Sequence, residues 1–246
     1  MNPPNKLNFY IGFDPRERLA YDVARRSILK RASIHTNAIP LELEHLKHVL
    51  TRPIERRDGR MWCPISQAPM ATEFAISRFA VPLIQQKGWA VFADCDILCT
   101  ADIRELLDLA DERYAVMVVK HEHKTVNQVK MDNQVQINYS RKNWSSVVLW
   151  NCSHSSNRKL TQEVLNTWPG RDLHAFRWLD DGEIGELPRK WNHLVGFYPE
   201  QNPEPGILHY TEGGPWFQDW KGGELDDLWL QEAESLGFKI DRQPAQ

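Results

Sequence analysis

The junction near the start of the chain constrains the fold more than any other feature. Leu7-Asn8-Phe9-Tyr10-Ile11-Gly12-Phe13 reads as a β-strand, and Asp14-Pro15-Arg16-Glu17 follows it without a gap. That tetrapeptide offers an N-cap, a proline at the first helical position, where the missing N–H costs nothing, and a glutamate spaced for a capping box. Leu19, Val23, Ala24 and Ile28 then recur at intervals that put them on one helical face. A strand passing directly into an amphipathic helix packs that helix back on its own sheet. The chain therefore opens with a βα unit.

The alternation continues. Residues 38–43 predict a second strand, and residues 51–70, rich in arginine and interrupted by Pro53, Pro64 and Pro69, predict a long surface loop of the kind that is often functional. Phe74, Ala75 and Phe79 mark a helix disturbed at Pro82 and stopped at Gly88. Trp89–Ala93 is strand-like, and Thr100 is placed to cap a short helix containing Ile103, Leu106 and Leu107. Residues 114–119 form an unbroken apolar run, as a central parallel strand buried on both faces does. Another strand is predicted over 146–150. Helical spacing returns at Leu160, Val164, Leu165 and Trp168, and again at Leu225, Leu228, Trp229 and Leu236. This order predicts an α/β fold with a mainly parallel central sheet flanked by helices. With no internal repeat and no Ser/Gly-rich linker, one domain over residues 1–246 is expected.

Composition narrows the functional classes. Thirty basic against 33 acidic residues leave a net charge of −3, unlike the basic footprint of a nucleic-acid binder. The run at 114–119 is far short of the roughly 20 apolar residues that span a bilayer, so no integral membrane segment is expected. The first residues lack a signal-peptide pattern, which makes a cytoplasmic location the expectation. Cys63, Cys95, Cys99 and Cys152 form no CxxC pair and are expected to be free thiols.

The chemistry concentrates at two places. Asp94-Cys95-Asp96 comes directly after the apolar strand Trp89–Ala93, and ligands of open α/β sheets bind just beyond the carboxyl ends of strands. Residues two apart on an extended chain point the same way, so both carboxylates can converge on one hard divalent cation that relieves their repulsion. Far along the chain, His209 ends another short apolar run and precedes Gly213-Gly214. An imidazole can complete a carboxylate metal site, and glycines let backbone amides approach a phosphate. Bland readings of the same residues are exposed loop aspartates, a structural histidine and a turn. Asp180-Asp181, before Gly182, suits a turn at the site edge, with one carboxylate facing solvent or paired to Arg177 or Arg189. Of ten tryptophans, Trp89, Trp150 and Trp191 read as structural, while Trp144, Trp216 and Trp220 stand beside the site loops, one or two of them as sugar contacts. The charged stretch Lys120-His121-Glu122-His123-Lys124 reads as a solvated turn at the same sheet edge.

Taken in order, Arg78, Phe92-Ala93-Asp94-Cys95-Asp96-Ile97, Asp102-Ile103-Arg104-Glu105-Leu106, Leu187-Pro188-Arg189-Lys190-Trp191-Asn192 and His209-x5-Pro215-Trp216 resemble the family 8 glycosyltransferases, the glycogenin and lipopolysaccharide galactosyltransferase group. The resemblance implies a GT-A fold and a hexosyltransferase-like, retaining activity. The donor would be a nucleotide sugar, UDP-linked, and the acceptor a glycan or lipid-linked saccharide that would hold the protein at a membrane surface. It implies Mn2+ or Mg2+ on Asp94, Asp96 and His209, and Arg78 near the donor sugar. Phe9, Ile11, Gly12, Cys95, Gly213 and Gly214 would line the nucleotide side, and Asp181 or Asp180 would act at the transferred sugar. The interval from His209 to Pro215 is one residue shorter than in the family, and Gly214 stands where the diphosphate-binding lysine would be, so Lys221 or Lys190 would take that part. Two rival readings remain: a haloacid-dehalogenase-like phosphatase using Asp94-x-Asp96 and Asp180-Asp181, and a non-enzymatic sugar-binding module.

Overall fold

A computed structural model describes residues 6–122, 141–198 and 204–238. In chain order its elements are β1 (Lys6–Gly12), α1 (Arg18–Arg31), β2 (His35–Leu41), β3 (Glu55–Arg57), β4 (Arg60–Cys63), β5 (Ala68–Met70), α2 (Phe74–Ser77), α3 (Val81–Gln85), β6 (Trp89–Ala93), β7 (Ile97–Cys99) and α4 (Ile103–Leu107). They continue with β8 (Val116–Val118), β9 (Val147–Asn151), α5 (Gln162–Thr167), α6 (Gly170–His174), β10 (Ile184–Glu186), β11 (His193–Leu194), β12 (Ile207–His209) and α7 (Asp226–Ser235).

The main sheet has six strands in the order β10-β8-β9-β6-β1-β2. β1 pairs in parallel with both β2 and β6, and β10 with β8, whereas β9 runs antiparallel to both of its neighbours. Two antiparallel steps restore direction, so β6, β8 and β10 all point the same way. The 114–119 run is thus a buried strand, but it sits second from the edge and beside an antiparallel partner. Its apolar continuity reflects burial on both faces, which does not depend on the neighbour's direction. Phe9, Ile11, Val91, Phe92, Val147 and Trp150 are fully buried within one large core.

Local chemistry explains most boundaries. Asp14 caps the turn Pro15–Glu17 by accepting from the Arg16 N–H at 3.0 Å, and α1 continues from it. Pro82 sits in the first turn of α3, where it interrupts no hydrogen bond, after a single 3-10 turn at Arg78–Ala80. Asp102, not Thr100, caps α4, its side chain accepting from the Arg104 N–H at 2.9 Å. The 51–70 segment is no loop. It forms the antiparallel meander β3-β4-β5, turned by Asp58-Gly59 with φ of 50° and 77°, a two-residue hairpin signal that the arginines and prolines obscure. β11, β12 and β7 make a separate three-stranded sheet, which α1 and α7 back through Val23, Leu98, Leu208, Tyr210, Trp229 and Leu230. All four cysteines are free and buried. Among the described residues no helix is long and apolar enough to cross a membrane.

Candidate metal centre

The site grows out of the end of β6. The Asp94 N–H donates to the Ser146 carbonyl at 2.9 Å, and the chain then bends at Cys95 and Asp96 into β7. Asp94 and Asp96 lie together, while Cys95 points into the core, fully buried, with its thiol pushed well up by burial and by the surrounding carboxylates. β12 pairs antiparallel with β7 in the register His209↔Ile97, and the Tyr210 N–H donates to the Asp96 carbonyl at 2.9 Å. That pairing carries His209 to the aspartates from more than 100 residues away. One ligand atom from each of Asp94, Asp96 and His209 lies within 4.8 Å of the other two. Ligand atoms held at ~2.0–2.2 Å from one cation lie about 3–4.4 Å apart, so the cluster is close to the size a metal needs.

Charge sets the character of this edge. Arg78, almost wholly buried, places Nη1 2.8 Å from Asp94 Oδ1 and 2.9 Å from the Ser145 carbonyl, with the rings of Phe74 and Phe92 against its guanidinium. His209 Nε2 stands 3.3 Å from Asp96 Oδ1. Burial, joined by repulsion from Asp96, pushes Asp94 up to about 6 against the pull of Arg78 and His209. Glu17 is pushed up to about 8, first by burial and then by Asp96, Asp14 and Asp94. Asp14 goes the other way: although burial raises it, hydrogen bonds from Arg16 and from the Glu73 N–H bring it below its ordinary value. Carboxylates that crowd together and hold protons above their ordinary range, beside an imidazole, make a donor set of oxygen and nitrogen suited to a hard or borderline divalent cation.

Glu17 is the residue the sequence reading missed. No capping box closes around Asp14, and burial followed by the charges of Asp96, Asp14 and Asp94 raises Glu17. A signal was available, because β1 and β6 are adjacent and end together, Ile11 opposite Ala93, so whatever follows each strand meets at one edge.

The other predicted residues divide. Gly12 ends β1 at this edge, and a Cβ there would lie 2.4 Å from the Phe74 ring. Phe9 and Ile11 are fully buried in the core beside it. Gly213, with φ of 109°, and Gly214, where a Cβ would meet Trp216 at 2.2 Å, shape a tight turn. The tryptophans after them face the C-terminal helix: Trp216 packs on Tyr210 and Trp229, and the Trp220 indole donates to Asp226 at 2.7 Å. Lys190 is paired with Glu105 at 2.8 Å, and Lys221 is exposed. Trp144 donates to the His121 carbonyl at 3.1 Å beside Arg141 and Lys120; His123 and Lys124 lie outside the described residues.

Asp180 and Asp181 precede β10, whereas Asp94 and Asp96 follow β6, a strand of the same direction. Asp180 and Glu183 form a capping box, and Asp181 pairs with Arg141, not with Arg177 or Arg189. Arg141 in turn lies over Trp144, which belongs to the turn whose Ser146 carbonyl holds the Asp94 N–H.

No protein-family model matches the chain. Protein CDI of Arabidopsis thaliana is 46% identical over 233 residues, covering 93% of this chain and 86% of that protein. The chain belongs to the Protein CDI family. Solved structures add the fold. The glycosyltransferase GlyE of Streptococcus pneumoniae TIGR4 superposes with a TM-score of 0.59 at 17% identity, over 93% of this chain and 60% of GlyE. The bifunctional WbbM gives 0.62 at 16% identity over 93% of this chain and 49% of its own. The galactosyltransferase LgtC, solved with donor and acceptor sugar analogues, gives 0.56 at 13% identity over 96% and 97% of the two chains. This member of the Protein CDI family thus has the GT-A fold, and it spans about 60% of the GlyE chain and about half of WbbM.

Proposed function

We propose that this chain is a metal-dependent glycosyltransferase that moves a sugar from a nucleotide-sugar donor, UDP-linked, to a hydroxyl of a glycan or lipid-linked saccharide. The observation that carries the reading is the meeting of Asp94, Asp96 and His209 at the carboxyl edge of a GT-A sheet. In such a transfer the bond from the anomeric carbon to the diphosphate oxygen breaks, a bond to the acceptor oxygen forms, and the hydroxyl proton leaves. A divalent cation, Mn2+ or Mg2+, bound at the cluster supplies charge neutralisation for the departing diphosphate. Arg78 fixes the Asp94 carboxylate and adds positive charge beneath it. Gly12 keeps the strand end open and Glu17 brings a further carboxyl group to the same edge.

The phosphatase reading, which uses Asp94-x-Asp96 with Asp180-Asp181, predicts phosphate-ester hydrolysis without a sugar donor. The binding-module reading predicts glycan affinity indifferent to metal and nucleotide. A panel of nucleotide sugars scored by thermal shift, with and without Mn2+, separates the three. Stabilisation by a UDP-sugar only when Mn2+ is present supports the transferase, and phosphate-ester hydrolysis without a sugar donor overturns it.

A further inference from the structure

Asn192 closes the motif Leu187-Pro188-Arg189-Lys190-Trp191-Asn192, is wholly buried, and touches no solvent or sheet edge of its own. Its amide is oriented without ambiguity. The Asn192 Nδ2 lies 3.2 Å from the Asn143 carbonyl, which only accepts, and 3.0 Å from Ser146 Oγ. Ser146 Oγ already donates its single hydrogen to the same Asn143 carbonyl at 2.7 Å, so toward Asn192 it can only accept. Both neighbours therefore require the amide nitrogen on that side, which leaves Oδ1, an acceptor only, 2.9 Å from His209 Nδ1. A hydrogen bond there requires the proton on Nδ1. Nε2 is then the imidazole atom turned to Asp96, 3.3 Å from its Oδ1, and the atom on the metal side of the cluster.

We infer that Asn192 is a positioning residue that fixes the His209 tautomer, so that Nε2 is the ligand atom for a divalent cation. The inference rests on the metal reading above. The device reaches a second ligand through the same turn. Asn143 adopts a left-handed backbone with φ of 62°, which starts the 3-10 turn Trp144–Ser146, and the carbonyl of Ser146 holds the Asp94 N–H. One turn thus sets Asp94 through its main chain and His209 through Asn192. Groups that orient a metal-ligating histidine in this way are worth about 10–100-fold in metal affinity.

Two measurements test it. Long-range proton–nitrogen spectra of 15N-histidine-labelled, metal-free protein, at a pH above the usual imidazole range, report the His209 tautomer directly. The expected result is Nδ1–H; an Nε2–H tautomer in the unsubstituted protein overturns the inference whether or not metal binds. Mn2+ titration then compares Asn192→Leu, which removes the acceptor, with Asn192→Asp, which keeps one. Asn192→Leu should shift His209 to Nε2–H and weaken Mn2+ at least tenfold, while Asn192→Asp should retain the Nδ1–H tautomer. A folded Asn192→Leu protein with unchanged tautomer and unchanged Mn2+ affinity overturns the inference. Failure of the unsubstituted protein to bind Mn2+ overturns the metal reading instead, and is told apart by the tautomer spectrum. Should Asn192→Leu not fold, the spectrum of the unsubstituted protein still decides.

Discussion

Replacing Glu17 by glutamine tests the electrostatic account of the site without touching a proposed ligand. Glu17 holds its proton up to about 8 in the folded chain, against 4.5 when unperturbed. A folded pKa above the unfolded one means that the native state binds a proton the unfolded state has lost, so stability falls as pH rises through this window. For one group the slope is at most about 1.4 kcal/mol per pH unit. Between pH 6 and 8 the native carboxyl goes from almost fully protonated to half ionised, which integrates to about 2 kcal/mol, or about 4–8 °C in Tm for a chain of this size. Buried His174 and His193, both pushed below the ordinary 6.5 chiefly by burial, act with the opposite sign and favour the native state as pH rises toward neutrality. The useful quantity is therefore the difference between native protein and Glu17→Gln, measured by metal-free thermal unfolding across pH 6–8. That difference should move in favour of Glu17→Gln by about 2 kcal/mol as pH rises. Added Mn2+ should flatten the native profile, since a cation relieves the same crowding. Parallel Tm curves for the two proteins from pH 6 to 8 would refute the argument that Glu17 shares the field of Asp94 and Asp96.

Asp96→Asn should abolish the Mn2+-dependence of UDP binding in calorimetry while leaving the fold intact; equal affinity with and without metal in the unsubstituted protein would sink the metal reading. Asp181→Asn, which loses the pairing with Arg141, should lower turnover at least tenfold in a transfer assay with the true donor and acceptor while leaving Mn2+-dependent nucleotide binding intact; unchanged turnover would leave the carboxylate a partner of Arg141 alone. Gly12→Ala drives a Cβ to 2.4 Å from the Phe74 ring and should lower stability by about 1–3 kcal/mol in urea unfolding. Glu232→Gln weakens the contacts of a buried carboxylate to Arg31 at 3.0 Å and Lys30 at 3.4 Å, and should cost about 1.5–3 kcal/mol by loosening α7 from α1.

Periodicity made the main layers legible because it reports burial. The stripe from Leu19 to Ile28 and the run over Trp89–Ala93 each bury a face, and both elements stand where the pattern puts them. Burial says nothing about direction, so the apolar run at 114–119 could not disclose that β9 beside it runs antiparallel. Nor does composition reveal a small sheet: β3 is exposed along its length and carries two arginines, and the alternation of buried Met61 and Cys63 in β4 spans only four residues, so Asp58-Gly59 is the clearest sign of the meander at 55–70.

The Asp94–Asp96–His209 cluster was legible for a related reason, and the surroundings of Asp180 and Asp181 were not. Asp94 and Asp96 are joined by local geometry: only two residues apart at one strand end, they stay within reach of each other whatever the rest of the chain does, even though the chain bends at Cys95 and Asp96. His209 needed a register, and the register came from β12 being a buried apolar strand that had to pair with something. Asp180 and Asp181 had neither constraint. Their position depends on how many residues separate α6 from β10, and in this chain Phe176-Arg177-Trp178-Leu179 is spent on the core, with Phe176 fully buried and Trp178 stacked on Trp150. A segment that buries those rings beside β9 and then enters an edge strand fixes Asp180 in a capping box with Glu183 and Asp181 on Arg141, contacts that depend on the fold of distant segments and leave no local pattern.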